Sequence, residues 1–123
     1  MIDRKSGKII NVCSLMSEIS RPTIAPYTAS KGGVKMLTKA MAVEWAKYNI
    51  QVSGIGPGFI VTEMNKVFLE DQKFDAMVRA RTPAGRWGQP SDLAGVAILL
   101  ASRASDYITG QVIYVEGGIL SAL

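Results

Sequence analysis

Along this chain the spacing of apolar residues changes several times, and each change marks an element. Lys8-Ile9-Ile10-Asn11-Val12-Cys13 follows Gly7 and is rich in β-branched residues, as expected of a strand covered on both faces. Ser14 to Ala25 is polar and interrupted by Pro22, so a loop is expected. Pro26 suits a first helical turn, and from there to Tyr48 the spacing is helical. Val34, Leu37, Met41 and Trp45 form one apolar stripe; Ala29, Gly32, Gly33, Ala40, Ala42 and Ala46 leave the rest of that helix small enough to pack closely, for example against a second subunit. Asn49 can end it. Ile50 to Ile55 reads as a second strand, broken sharply by Gly56-Pro57-Gly58. Thr62 to Arg81 is helical in two pieces, with Phe68, Phe74, Met77 and Val78 apolar, and Pro83 to Pro90 is a loop. Ser91 is placed to cap a helix over Asp92 to Ser102 that turns Leu93, Val96, Ala97, Leu99 and Leu100 inward. Gln111 to Val115 is a third strand, closed by Gly117-Gly118.

Strands separated by helices imply parallel pairing, so the fold class is α/β: three parallel strands with flanking helices, half of a doubly wound, Rossmann-type sheet. The 123 residues amount to one domain at most. The first strand begins so early that whatever pairs with its other edge lies outside this chain.

Composition narrows the chemistry. The net charge is +4, but the basic residues are scattered and no basic stripe is interleaved with aromatics, which leaves no basis for nucleic-acid binding. The longest apolar run is far too short to span a bilayer, so no membrane role is expected. The chain has no histidine and one cysteine, Cys13. A Ser-His-Asp triad is therefore impossible, a zinc site is not expected, and a reducing, cytoplasmic setting fits.

Tyr27 and Lys31 are four residues apart at the start of the long helix, on one face and one turn apart. A free tyrosine is a poor acid or base at neutral pH, and a nearby ammonium favours its phenolate. The pair alone recurs in many helices. Ser14 adds to it, because it follows a strand end, where open α/β sheets bind ligands. A hydroxyl there could donate to a carbonyl oxygen beside the tyrosine, or could simply cap a turn.

Gly-Lys-Ile-Ile-Asn-Val-Cys-Ser, then Pro-Tyr-Thr-Ala-Ser-Lys-Gly-Gly, then Asn-Ile-Gln-Val-Ser-Gly-Ile-Gly-Pro-Gly with Thr62 four residues on, then Tyr-Val-Glu-Gly-Gly, resemble the short-chain dehydrogenase/reductase family in register along the whole chain. The resemblance implies an NAD- or NADP-dependent oxidoreductase and a homo-oligomer. In it, Tyr27 is the general acid/base, Lys31 assists it and binds the nicotinamide ribose, and Ser14 polarises the substrate carbonyl. Pro57, Gly58, Ile60 and Thr62 would line the nicotinamide end. Thr62 could also cap the following helix. The stretches around Ser14-Leu15, Arg21-Pro22-Thr23, Thr62 to Asn65 and Arg86-Trp87-Gly88 are most similar to family members that interconvert gluconate and 5-ketogluconate. An anionic sugar acid calls for a cation, and Arg21 and Arg86 are the candidates.

The family's glycine-rich turn, where pyrophosphate meets a helix N-terminus, has no counterpart here; Gly54-Ile55-Gly56-Pro57-Gly58 has the wrong spacing. Residues 1–123 are thus expected to be the C-terminal half of the domain, without its dinucleotide-binding half. Two readings follow. One is an oxidoreductase acting on a sugar acid; the alternative is a fragment, incompetent by itself, with an assembly or structural role.

Overall fold

The computed structural model describes residues 1–123. Three strands, β1 (Gly7–Val12), β2 (Ile50–Pro57) and β3 (Val112–Val115), form one parallel sheet in the order β1-β2-β3. Between β1 and β2 runs helix α1 (Ala25–Trp45); between β2 and β3 come α2 (Lys66–Glu70), α3 (Gln72–Arg81) and α4 (Ala94–Ala101). The α/β class and the element order follow the hydrophobic pattern.

Side chains alternate along a strand, so each face of the sheet has its own helix. Ile9, Ile50 and Val52 pack with Ala42, Met41 and Trp45 of α1. Lys8 points to the other face, where its ammonium meets Asp106, just beyond α4, at 2.8 Å. The face of α1 against the sheet is only partly the expected stripe: Met41 and Trp45 pack there, but the most buried positions lie elsewhere. Thr38 and Ala42 are its buried residues, while Leu37 is 53% exposed. Small residues let the helix approach the sheet closely, and the Asn11 amide donates to Thr38 Oγ1 at 2.9 Å to close the gap.

Other boundaries also differ. β2 continues through Gly56 to Pro57, because Pro57 sits at its last position, where a missing N–H costs the ladder little. Ser91 does not cap α4. A turn over Pro90–Leu93 precedes the helix, and Asp92 caps that turn from inside by accepting from Gln89 N at 2.8 Å. β1 is not covered on both faces: its residues are half-buried and Val12 is 61% exposed. It has a strand partner on one side only. No helix is long and apolar enough to cross a membrane.

Candidate active site

The segment after β1 is more ordered than a loop. Ser14 starts a tight turn over Leu15–Ser17, its side chain accepting from Met16 N at 3.1 Å. Ser17 completes a capping box: its Oγ accepts from Ser14 N at 3.2 Å and donates to Lys31 O at 2.8 Å. One hydroxyl therefore ties the backbone of Ser14 to the backbone of Lys31. The expected loop is thus a capped turn, for which Ser-x-x-Ser at a strand end is the sequence cue.

α1 begins with Pro26 in its first turn and carries Tyr27 and Lys31 on successive turns. Lys31 Nζ lies 5.8 Å from the centre of the Tyr27 ring and donates to Val12 O, at the end of β1, at 2.9 Å. Tyr27 is 46% exposed. Ser14 and Tyr27 line one cavity of about 320 Å³ together with Arg21 and Gly58. No hydrogen bond joins Ser14 to Tyr27; the two hydroxyl-bearing side chains share the space between them.

The far wall of this cavity is aromatic. Phe59 packs edge-on to Phe74 and Trp87 with ring centres 5.8 and 5.6 Å apart, and Phe68 lies 5.1 Å from Phe74. Trp87, 3% exposed, lines the cavity and donates from Nε1 to Asp75 Oδ1 at 2.8 Å. Asp75 is held below the ordinary carboxylate range, chiefly by its hydrogen bond from Arg79 and further by that from Trp87.

Of the remaining candidates, Gly58 lines the cavity but also has a packing reason to be glycine. A Cβ there would come within 2.7 Å of Glu116 Cα. Ile60, 6% exposed, bridges to Gly88, and its carbonyl accepts from Asn65 Nδ2 at 2.9 Å. Its N–H makes no hydrogen bond within the chain. Thr62 does cap the next turn, accepting from Asn65 N at 3.2 Å. Pro57 closes β2. Arg86 is not brought to Tyr27: it pairs with Asp92 at 2.7 Å and lines a neighbouring cavity with Ile60 and Glu116. Arg21, in contrast, stands in the Tyr27 cavity. The loop that carries it is strained, since Thr23 has φ 73, a left-handed conformation that costs a β-branched residue of order 1–3 kcal/mol.

A second buttress was not foreseen. Glu18 Oε1 takes a hydrogen bond from Tyr114 Oη at 2.6 Å and a short ion pair from Lys35. These contacts, Lys35 first, hold the Glu18 carboxyl below its usual range. Burial, reinforced by Glu18, pushes the Tyr114 phenol up. The cluster pins the end of the Ser14 turn to α1 and to β3.

A family model described as enoyl-(acyl carrier protein) reductase matches residues 1–120. The 5-keto-D-gluconate 5-reductase of Escherichia coli K12 is 54% identical over 123 residues, all of this chain and 48% of that protein. The 2-dehydro-3-deoxy-D-gluconate 5-dehydrogenase of Formosa agariphila is 53% identical over 124 residues, again all of this chain and 47% of that protein. Among solved structures, a gluconate 5-dehydrogenase from Burkholderia cenocepacia in complex with NADP and tartrate superposes with a TM-score of 0.97 at 54% identity, over 99% of this chain and 48% of its own. The chain thus spans about half the length of the relatives it matches. With a family model across nearly its whole length, and with its parallel sheet superposing on a relative that is 54% identical, the chain belongs to the short-chain dehydrogenase/reductase family.

Proposed function

We propose that this chain supplies the acid–base half of the active site of an NAD(P)-dependent oxidoreductase that interconverts a secondary alcohol and a ketone in a sugar acid, of the gluconate/5-ketogluconate type. The observation that carries this reading is the cavity shared by Ser14, Tyr27 and Arg21, with the Lys31 ammonium 5.8 Å from the Tyr27 ring. The relatives named for gluconate chemistry support the substrate class.

Each side chain suits its part. Tyr27 gives its phenolic proton to the carbonyl oxygen during reduction and takes it back during oxidation. Ser14 Oγ accepts from Met16 N, which leaves its own O–H free to donate to that oxygen. Lys31 spends one donor on Val12 O and keeps two for ribose hydroxyls. Arg21 takes the carboxylate. Arg86, already paired with Asp92, is left out of the substrate site.

The residues present fit the nicotinamide end of a dinucleotide. The free Ile60 N–H can meet a carboxamide, with Pro57, Gly58 and Thr62 around it. When bound, the cofactor supplies or accepts the hydride. Nothing in this chain cradles pyrophosphate, so the isolated chain is expected to be catalytically incompetent. Its one-sided β1 is then an assembly surface for the dinucleotide-binding half. Homo-oligomerisation belongs to the same proposal, motivated by Met36, Leu37 and Val43 on the outer side of α1, which are 60, 53 and 82% exposed. A cytoplasmic location rests on the single unpaired thiol, Cys13.

The test is a hybrid that joins this chain to the N-terminal half of the E. coli reductase. The hybrid should reduce 5-ketogluconate with NADPH or NADH, and the isolated chain should leave the fluorescence of both cofactors unchanged. A hybrid that binds cofactor but reduces neither 5-ketogluconate nor a related keto acid would refute the substrate and reaction assignment.

A further inference from the structure

Arg21 is set apart by lacking an ion pair while half-buried; Arg4, Arg81 and Arg103 are also unpaired but exposed. Arg79 is paired with Asp75 and Arg86 with Asp92, but Arg21 makes no ion pair. Its only side-chain hydrogen bond is a long one, from Nη1 to the carbonyl of adjacent Pro22 at 3.4 Å. A guanidinium has five N–H donors, and a half-buried one left this empty is waiting for an anion. What holds it is an aromatic face: Arg21 Cζ lies 5.4 Å from the centre of the Phe74 ring. A ring face attracts a cation without consuming any N–H donor, so the donors stay free for a ligand.

Phe74 cannot easily swing away. Its ring lies against Phe59, Phe68 and Trp87, and Asp71 caps the start of its helix by accepting from Lys73 N and Phe74 N. Phe74 thus links the helical arm of residues 66–81 to the loop that carries the cation.

We propose that Phe74 is a positioning residue that holds Arg21 ready for a substrate carboxylate, and so sets this site's preference for hydroxy acids over neutral polyols. The inference rests on the reading of this cavity as the substrate site. It separates two jobs: Tyr27 does the proton chemistry, and the Arg21–Phe74 unit sorts substrates by charge.

The experiment is a double-mutant cycle in the hybrid holoenzyme, with Arg21→Gln, Phe74→Leu and both together. KM and kcat are measured for 5-ketogluconate, and thermal unfolding is recorded for each variant. Phe74→Leu should raise KM about fivefold with kcat little changed, as expected for loss of one cation–π contact. Phe74→Tyr should restore most of it. The double variant should be no worse than Arg21→Gln, because Phe74 acts only through Arg21. Additive losses, or a loss that falls on kcat with unchanged KM, would overturn the inference. If Tyr27→Phe left turnover intact, the failure would lie with the catalytic reading instead.

Discussion

Two of the cavities that Phe59 lines handle charge differently. On one side, in about 280 Å³, Arg86 is paired with Asp92, and Glu116 accepts from Leu120 N at 3.0 Å. On the other, in about 320 Å³, Arg21 is the one charged side chain and has no acidic partner. In the first, the arginine is spent on an aspartate and Glu116 on a backbone N–H. The second keeps a cation, two hydroxyls and an aromatic wall unspent. Proteins rarely leave a guanidinium half-buried and unpaired, because desolvation costs it energy that nothing returns. The comparison favours the second cavity as the proposed binding site, and it separates two arginines that their sequence positions alone could not.

The strongest way to break that contrast is to neutralise each arginine in the hybrid enzyme. Arg21→Gln should raise KM for 5-ketogluconate about thirtyfold, the loss of one charged hydrogen-bonded contact at roughly 2 kcal/mol. Arg86→Gln should leave KM within about twofold and lower stability slightly, since it releases Asp92 from an exposed pair. Equal effects on KM would erase the distinction between the cavities.

Gly58 sharpens the comparison, because it lies at the floor of the second cavity and against Glu116 of the first. Gly58→Ala would drive a Cβ to 2.7 Å from Glu116 Cα, a backbone atom that cannot step aside. Denaturant titration should show a loss of about 2 kcal/mol. Unchanged stability would mean that glycine serves only ligand approach there.

The smallest effect concerns pH. The Glu18 carboxyl is depressed by Lys35 and then by Tyr114, so its folded pKa lies below its unfolded value. Its contribution is therefore complete above the ordinary carboxylate range and is lost as pH falls through the folded pKa. The pair is partly solvated, so the stability difference between wild type and Glu18→Gln should be on the order of 0.5 kcal/mol at pH 7 and shrink towards pH 3. A difference that grew on acidification would contradict the buttress.

Much of this was legible in the sequence, for identifiable reasons. Strand and helix periodicity gave the α/β order, and the four-residue spacing of Tyr27 and Lys31 put them on one helix face. What stayed hidden depends on tertiary approach. Thr38 and Ala42 displaced Leu37 from the inner face of α1 because close packing against a sheet rewards small side chains over large apolar ones. Ser91 caps no helix because Pro90 begins a turn one position earlier, and α4 then starts without a side-chain cap. Arg21 and Arg86 looked alike because the carboxylate of Asp92, six residues after Arg86, could be matched to it only in three dimensions. The Glu18–Tyr114 bond joins residues 96 apart, a separation at which no local pattern speaks.

The central claim is that Tyr27, in the cavity with the unpaired arginine, moves the proton. Its most direct test is Tyr27→Phe in the hybrid enzyme, with turnover of 5-ketogluconate and cofactor affinity measured side by side. Turnover should fall about a thousandfold while cofactor affinity stays close to that of the parent, as expected when a general acid is lost and its ring is kept. Turnover equal to that of the parent would show that the proton comes from elsewhere.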